Sequence, residues 1–402
     1  MADAVIVAAG RSAIGRAFKG SLRDERPDDL LAAVIAGVLA RVPELDPALV
    51  EDLIVGCGSP AGESGFNVAR VTAILAGLGH APGVTINRYC ASSLQAIRMA
   101  THAIRAGEGD VFIAAGVETI SRYGHGMSDS DEAKNPRVQE ARLRTLGRMS
   151  GDQGPWTAAL GLPDIYIDMG QTAENVAELM GVRREDMDAF AQRSQELAVA
   201  NQANGFFDRE IVPITNAAGE VVARDDSPRA SSTLEALAGL SPVFRPNGTV
   251  TAGNACPLND GAAALVIMSN TKAAELGITP LARVVATGLS ALDPEIMGLG
   301  PIEASRHALR RAGLTIDDMD AVEINEAFAA QVLPSAQALG VPMEKLNSRG
   351  GAIALGHPFG MTGARIATTL LNSLTTSGGR YGLETMCVGG GQGMALIIER
   401  LG

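Results

Sequence analysis

The 402-residue sequence predicts an α/β layer fold made of two copies of one unit, with a long excursion between them. Three observations carry this expectation. Val- and Ile-rich runs alternate with segments of helical period, the pattern of strands covered by helices. The same order of segments occurs twice along the chain. Residues 121–249, between the copies, differ in character: they hold Arg/Asp-rich and Gly/Pro-containing stretches and the single tryptophan, Trp156. The expected division is residues 1–120 with 250–272 as one half, 121–249 as a loop (cap) domain, and 273–402 as the second half.

In the first copy, "DAVIVAAG" (3–10) reads as a strand and "PDDLLAAVIAGVLARV" (27–42) as a helix, opened by Pro and Asp. "VEDLIVGC" (50–57) reads as a buried strand, "NVARVTAILAGL" (67–78) as a helix and "GVTINR" (83–88) as a strand. "SLQAIRMATHAIRAG" (93–107) reads as a helix and "DVFIAAGVE" (110–118) as a strand. In the second copy, 281–290 mirrors the first strand, 301–314 the first helix, and 316–328 the acid-then-strand pattern of 45–57. The helix 363–374 mirrors 93–107, and the block 382–399 mirrors 110–118. The excursion carries two amphipathic helices, around 171–180 and 185–204, and 248–269 returns to buried-strand character.

Apolar residues at 46% and charged residues at 19% give a globular chain that can bury large cores. Only 3% are aromatic while 47 are Gly, so the core must rest on Ala, Val, Leu and Ile. A net charge of −12 without a long Lys/Arg block argues against nucleic-acid binding. Arg137, Arg142, Arg144 and Arg148 form a local basic cluster. It reads first as a solvated helix face, and second as an aid in attracting an anionic ligand. No signal peptide, membrane span or peroxisomal tripeptide is apparent, so a cytoplasmic protein is expected.

The four cysteines, Cys57, Cys90, Cys256 and Cys387, show no metal spacing. Cys90 stands where a strand gives way to a helix, in "INRYCASSLQAI". The helix dipole and free backbone N–H groups there are expected to lower its pKa below the free value of about 8.5 and could hold an oxyanion. Taken alone, it reads equally as a buried core thiol. A thiolate nucleophile wants a base. His102 and His307 fall inside helices, and His80 and His125 in loops. His357, in "RGGAIALGHPFGMTGAR", lies in a glycine-rich loop before a helix, the repeat counterpart of the Cys90 loop. Two such loops facing each other across a pseudo-twofold axis would form a Cys–His pair. Cys387, at a strand end before three glycines, suits an acid/base role with its pKa moved near the working pH. Asn325, in "EINEAFA", can orient a water or cap a helix. Cys57 and Cys256 read as structural thiols.

Five blocks in order, "NRYCASSLQAI", "GVETIS", "NEAFA", "GGAIALGHPFGMTGAR" and "CVGGGQGMA", resemble the active-site blocks of the thiolases, and the likeness spans the chain. The resemblance implies a five-layered αβαβα fold of two pseudo-symmetric halves with an inserted loop domain, in a homodimer or homotetramer. It implies Cys90 as the acylated nucleophile, His357 as its activating partner, and Cys387 as the acid/base at the acetyl α-carbon. Asn325 would hold a water that, with His357, binds the thioester oxygen. The N–H groups of Cys90 and Gly389 would form a second oxyanion hole. Arg229, Phe244, Ala252, Phe328 and Met169 stand where the family lines the path of coenzyme A. Cys256 and Asp168 replace a Ser and a His of short-chain biosynthetic thiolases, and Ser93 a more usual Gly. This points to degradative transfer between 3-ketoacyl-CoA, CoA and acetyl-CoA, in fatty-acid or related β-oxidation, with acyl-CoA and CoA as partners and no metal or redox cofactor. The rival readings are a biosynthetic acetoacetyl-CoA-forming acetyltransferase, a decarboxylating 3-ketoacyl synthase, and an inactive CoA-binding relative.

Overall fold

In the computed structural model, which describes residues 2–126, 129–151 and 154–402, the Val/Ile runs become strands walled in on both faces. They are β1 (Ala4–Arg11), β2 (Asp52–Gly56), β3 (Gly83–Ile86), β4 (Val111–Thr119), β5 (Asn259–Ser269), β6 (Ala282–Ala291), β7 (Ala321–Ile324), β8 (Tyr381–Val388) and β9 (Gln392–Arg400). Every residue of β1, β4 and β5 is buried, which is why these strands read as continuous apolar runs rather than alternating ones. The helices that matter here are α1 (Pro27–Leu39), α2 (Val68–Leu75), α3 (Ser92–Ala106), α4 (Gln139–Met149), α5 (Met169–Met180), α6 (Arg184–Ala203), α7 (Gly300–Ala312), α8 (Ala329–Leu339) and α9 (Thr362–Ser377). Pro27 at the first position and Asp28 and Asp29 in the first turn start α1, satisfying the helix's free N-terminal end.

The strands run in the order β7-β8-β9-β6-β1-β5-β4-β2-β3. The two halves meet where β1 and β6 pair antiparallel over two residue pairs, Val5 with Arg283 and Ile6 with Ala282. On either side the order repeats: β1, β5, β4 and β2 correspond to β6, β9, β8 and β7. The outermost strand β3 has only a trace of a counterpart, the parallel bridge of Val322 to Leu346. The block 382–399, matched in sequence to a single strand, forms two. β8 answers β4, and after the turn at 389–391 β9 answers β5, the strand that the first half reaches only after the excursion.

Helices α1 and α2 cover the outside of the first half, and α7 and α8 that of the second. α3 and α9 pack against each other between the two halves of the sheet, which completes five layers. α9 is buried on every side from Thr362 to Leu374. Its small residues make the close approach possible: a Cβ on Gly363 would lie 2.4 Å from the backbone nitrogen of Leu94. The starts of α3 and α9 are thereby pressed together, and these are the two segments that carry Cys90 and His357. In the excursion, α5 and α6 lie where the periodicity places helices. The basic cluster around α4 is only partly a solvated face, because the Arg148 side chain, 10% exposed, meets Glu178 at 2.8 Å.

Candidate active site

Cys90 is presented by a tight turn. The chain leaves β3 and the Tyr89 N–H donates to Asn87 Oδ1 at 2.7 Å. The Ser92 hydroxyl accepts from the Arg88 N–H at 2.9 Å and donates to the Tyr89 carbonyl at 2.7 Å. Tyr89 is held at φ 44°, the left-handed region that non-glycine residues seldom occupy. One 3₁₀ turn, Tyr89–Ala91, then delivers the thiol at the head of α3. The backbone N–H groups of Gly389 and of Cys90 itself are directed at that thiol and favour its anion. Burial outweighs them and pushes the Cys90 thiol up to about 12, against the lowering expected from a helix N-terminus alone.

His357 enters from the other half. Its backbone N–H donates to Asn259 Oδ1 at 3.1 Å. The ring is 1% exposed and stands edge-on to Phe359. Nδ1 lies 2.6 Å from the Thr362 hydroxyl, whose own proton goes to the Pro358 carbonyl at 2.8 Å. That hydroxyl therefore accepts from Nδ1–H, and Nε2 carries the lone pair. Nε2 faces the Asn325 side-chain amide at 3.3 Å. Burial, helped by the Arg365 guanidinium, lowers the ring to about 3, so the imidazole is neutral. Asn325 is buried, its backbone oxygen taken by Gln331, while its Oδ1 has no partner among the described residues. It is not a helix cap.

Cys387 lies at the end of β8, fully buried. Burial, then the proximity of Cys90 and Cys256, raises its thiol well above the ordinary range, so the expected tuning toward neutral pH is absent. Beyond it the chain reverses at Gly390 (φ 76°) and Gly391 (φ 74°), where a side chain on Gly391 would also strike the Leu292 carbonyl. Arg88 donates to Gln392 Oε1 at 2.9 Å, and Gln392 Nε2 donates to the Gly389 carbonyl at 3.1 Å. This clamp ties the glycine turn to the Cys90 loop.

Two buried carboxylates, neither singled out by the sequence, brace the remaining loops. Glu118 accepts from the N–H groups of Gly58 (2.7 Å), Ser59 (3.2 Å) and Gly360 (2.8 Å) and from the Tyr123 hydroxyl (2.8 Å). Glu326 accepts from Ser194 (2.6 Å), Asn347 (2.8 Å) and the Ile353 N–H (3.1 Å). Cys57 is a structural thiol facing Glu118. His307 bonds the Leu289 carbonyl and has no part in the site.

Cys90 and His357 line one cavity of about 460 Å³. Its walls include Cys256, Phe328, Met297 and, from the excursion, Met149, Asp168, Met169 and Phe244. Phe244 and Phe328 meet edge to face. A second cavity of about 330 Å³ shares Val243, Phe244, Ala255, Cys256 and Leu258 with the first and carries Arg16, Arg229 and Ala252. The exposed Arg229 thus lies at an outer end and Cys90 at an inner end of one continuous path. Among the described residues, no group of three His, Cys, Asp or Glu could hold a metal ion.

Comparison with known proteins decides the family. Residues 4–271 match the description "Thiolase, N-terminal domain" and residues 278–400 "Thiolase, C-terminal domain". The chain belongs to the thiolase family. It is 47% identical to a beta-ketoadipyl-CoA thiolase of Acinetobacter baylyi over the full length of both chains. It is 46% identical to the 3-oxoadipyl-CoA/3-oxo-5,6-dehydrosuberyl-CoA thiolase of Escherichia coli, again over all of both. The crystal structure of the Bacillus anthracis acetyl-CoA acetyltransferase superposes with a TM-score of 0.87 at 39% identity, covering 100% of this chain and 99% of that one. This thiolase is therefore an acyltransferase that works on acyl-CoA and CoA, and its layered fold is that of the family. None of its helices is long and apolar enough to cross a membrane, among the described residues.

Proposed function

We propose that this thiolase cleaves 3-oxoacyl-CoA with CoA in the degradative direction, carrying the acyl group on Cys90. One observation supports it most: a buried thiol and a neutral imidazole with its Nε2 lone pair line one cavity, reached past an arginine at its outer end. Nε2 takes the Cys90 proton as sulfur bonds to the 3-keto carbon. The alkoxide that forms is held by the N–H groups of Cys90 and Gly389. Its collapse breaks the bond between C2 and C3, leaving the acyl group on Cys90 and the enolate of acetyl-CoA. The thioester oxygen of that enolate faces Asn325 and His357, and Cys387 gives C2 its proton. Acetyl-CoA leaves, a fresh CoA thiol attacks the acyl-cysteine, and acyl-CoA departs with both thiols restored, a ping-pong cycle.

The 460 Å³ cavity is mainly apolar, which suits acyl groups larger than acetyl. Cys256 and Asp168 at its wall lack the Ser and His expected of short-chain biosynthetic thiolases. The names of the full-length relatives support a 3-oxoacyl group that ends in a second carboxylate. Incubation with 3-oxoadipyl-CoA or acetyl-CoA followed by peptide mapping should find the acyl adduct on Cys90. An adduct on Cys256 or Cys57 in its place overturns the assignment.

A further inference from the structure

Beside the catalytic cavity lies a polar cavity of about 250 Å³ that the reaction as described leaves unused. The two share Met149 and Asp168 in their walls, so they adjoin at these residues. The linings differ in chemistry. Asp168 is the one charged residue of the catalytic cavity, and the space beyond brings in Lys134 and Arg142. Among the described residues, both cations pair with one carboxylate, Asp131, at 2.6 and 3.5 Å. Asp131 is 79% exposed, and an exposed pair of this kind holds weakly. The Tyr166 hydroxyl also lines the space. It accepts from the Asn135 N–H at 3.1 Å, which leaves its own O–H able to donate.

Resting on the reading of a thiolase for carboxylate-ended acyl groups, we propose that this cavity is the receptor for the distal carboxylate. Arg142 and Lys134 are its cations and the Tyr166 hydroxyl is a third donor. A carboxylate arriving there replaces a water-exposed counter-ion with a covalently delivered one, and two cations share it. The other acids of the lining act differently. Asp164 is buried, with one oxygen engaged by the Tyr166 N–H at 3.1 Å. Asp168, at the neck, repels a carboxylate that stops short, so the pair of cavities selects for chains long enough to bring their charge past it. This gives one residue of the basic cluster, Arg142, the second of the two roles that the sequence allowed.

The test compares 3-oxoadipyl-CoA with 3-oxohexanoyl-CoA, which has the same length and no distal charge, in thiolysis by the full-length enzyme. Wild type should favour 3-oxoadipyl-CoA in kcat/KM. Arg142→Gln and, separately, Lys134→Gln should lower the ratio of the two kcat/KM values ~10- to 100-fold, the worth of one charge-assisted hydrogen bond. The loss should appear in KM, and Arg142→Lys should restore part of it. Either substitution suffices if the other impairs folding. A wild type that favours the uncharged substrate, or variants that lose both substrates alike, overturns the proposal while leaving the thiolase reading intact. A wild type that cleaves neither substrate removes the reading on which it rests.

Discussion

Two side chains at the site are displaced from their solution behaviour in opposite directions by the same cause. Burial lifts Cys90 to about 12 and lowers His357 to about 3, so the resting pair is a neutral thiol beside a neutral imidazole. Charge appears only as the proton moves, where N–H groups are already aimed to meet it. The His357 shift carries a stability consequence. Its folded pKa lies below the unfolded value of about 6.5, so the unfolded chain binds the extra proton as pH falls. The stability involved is fully present above pH 6.5 and is lost on acidification, at about 1.4 kcal/mol per pH unit, down to about pH 3. In urea unfolding, the stability gap between wild type and His357→Gln should shift in the variant's favour by that slope between pH 6.5 and 4. A gap independent of pH over this range shows that the ring is not held neutral. The second thiol is separable from the first. Cys387→Ala should still take an acetyl group onto Cys90 from acetyl-CoA. It should lose exchange of acetyl α-protons with deuterium, and carbon–carbon cleavage should fall ~10²- to 10⁴-fold. Normal deuterium exchange in this variant would mean that another group moves the proton.

The elements were legible in the sequence where burial wrote an unmistakable pattern. β1, β4 and β5 are enclosed on both faces and read as apolar runs, and α5 and α6 announced themselves by period. The Cys90 and His357 loops were visible because repeat and glycine content marked them. The turn after Cys387 was read from its glycines, but the repeat matched 382–399 to a single strand, so the separate strand β9 beyond the turn was missed. What stayed hidden depends on partners distant in the chain. Arg88 and Gln392 are 304 residues apart, and nothing local in either says that they clamp the glycine turn to the Cys90 loop. The pKa directions were misread for the same reason: a helix N-terminus is local, but burial is a property of the whole assembly. Glu118 is the clearest case of a hidden support, since Gly58 and Gly360 on separate loops hang from one of its oxygens. Glu118→Gln turns one oxygen into an amide NH2 group facing N–H donors, at roughly 1–3 kcal/mol for each donor left unsatisfied. The variant should melt at a lower temperature and turn over more slowly, because the Gly360 loop also carries His357. Retention of both the melting temperature and the turnover would show that the carboxylate does not join these loops.

At the scale of the molecule, a chain of net charge −12 must admit an anionic substrate. Arg229 stands at the outer end of the path, and Arg16 is near enough to repel it. These two give the entrance a sign opposite to that of the whole. Arg229→Ala should raise KM for CoA roughly 2- to 5-fold at low salt with little change in kcat, and the effect should fade as salt screens it. An unchanged KM at low salt would place the contact elsewhere. The pairing of β1 with β6 at the centre of the sheet has a different consequence, one of descent. Two identical copies joined there would each bring the same residue to the facing starts of α3 and α9, two thiols or two imidazoles, and neither couple combines a thiol with a base of a different kind. Copies carried on a single chain can diverge independently, which identical chains cannot. The covalent joining of the halves thus permits one copy to carry the thiol and the other the imidazole, a division closed to a symmetric pair of identical chains.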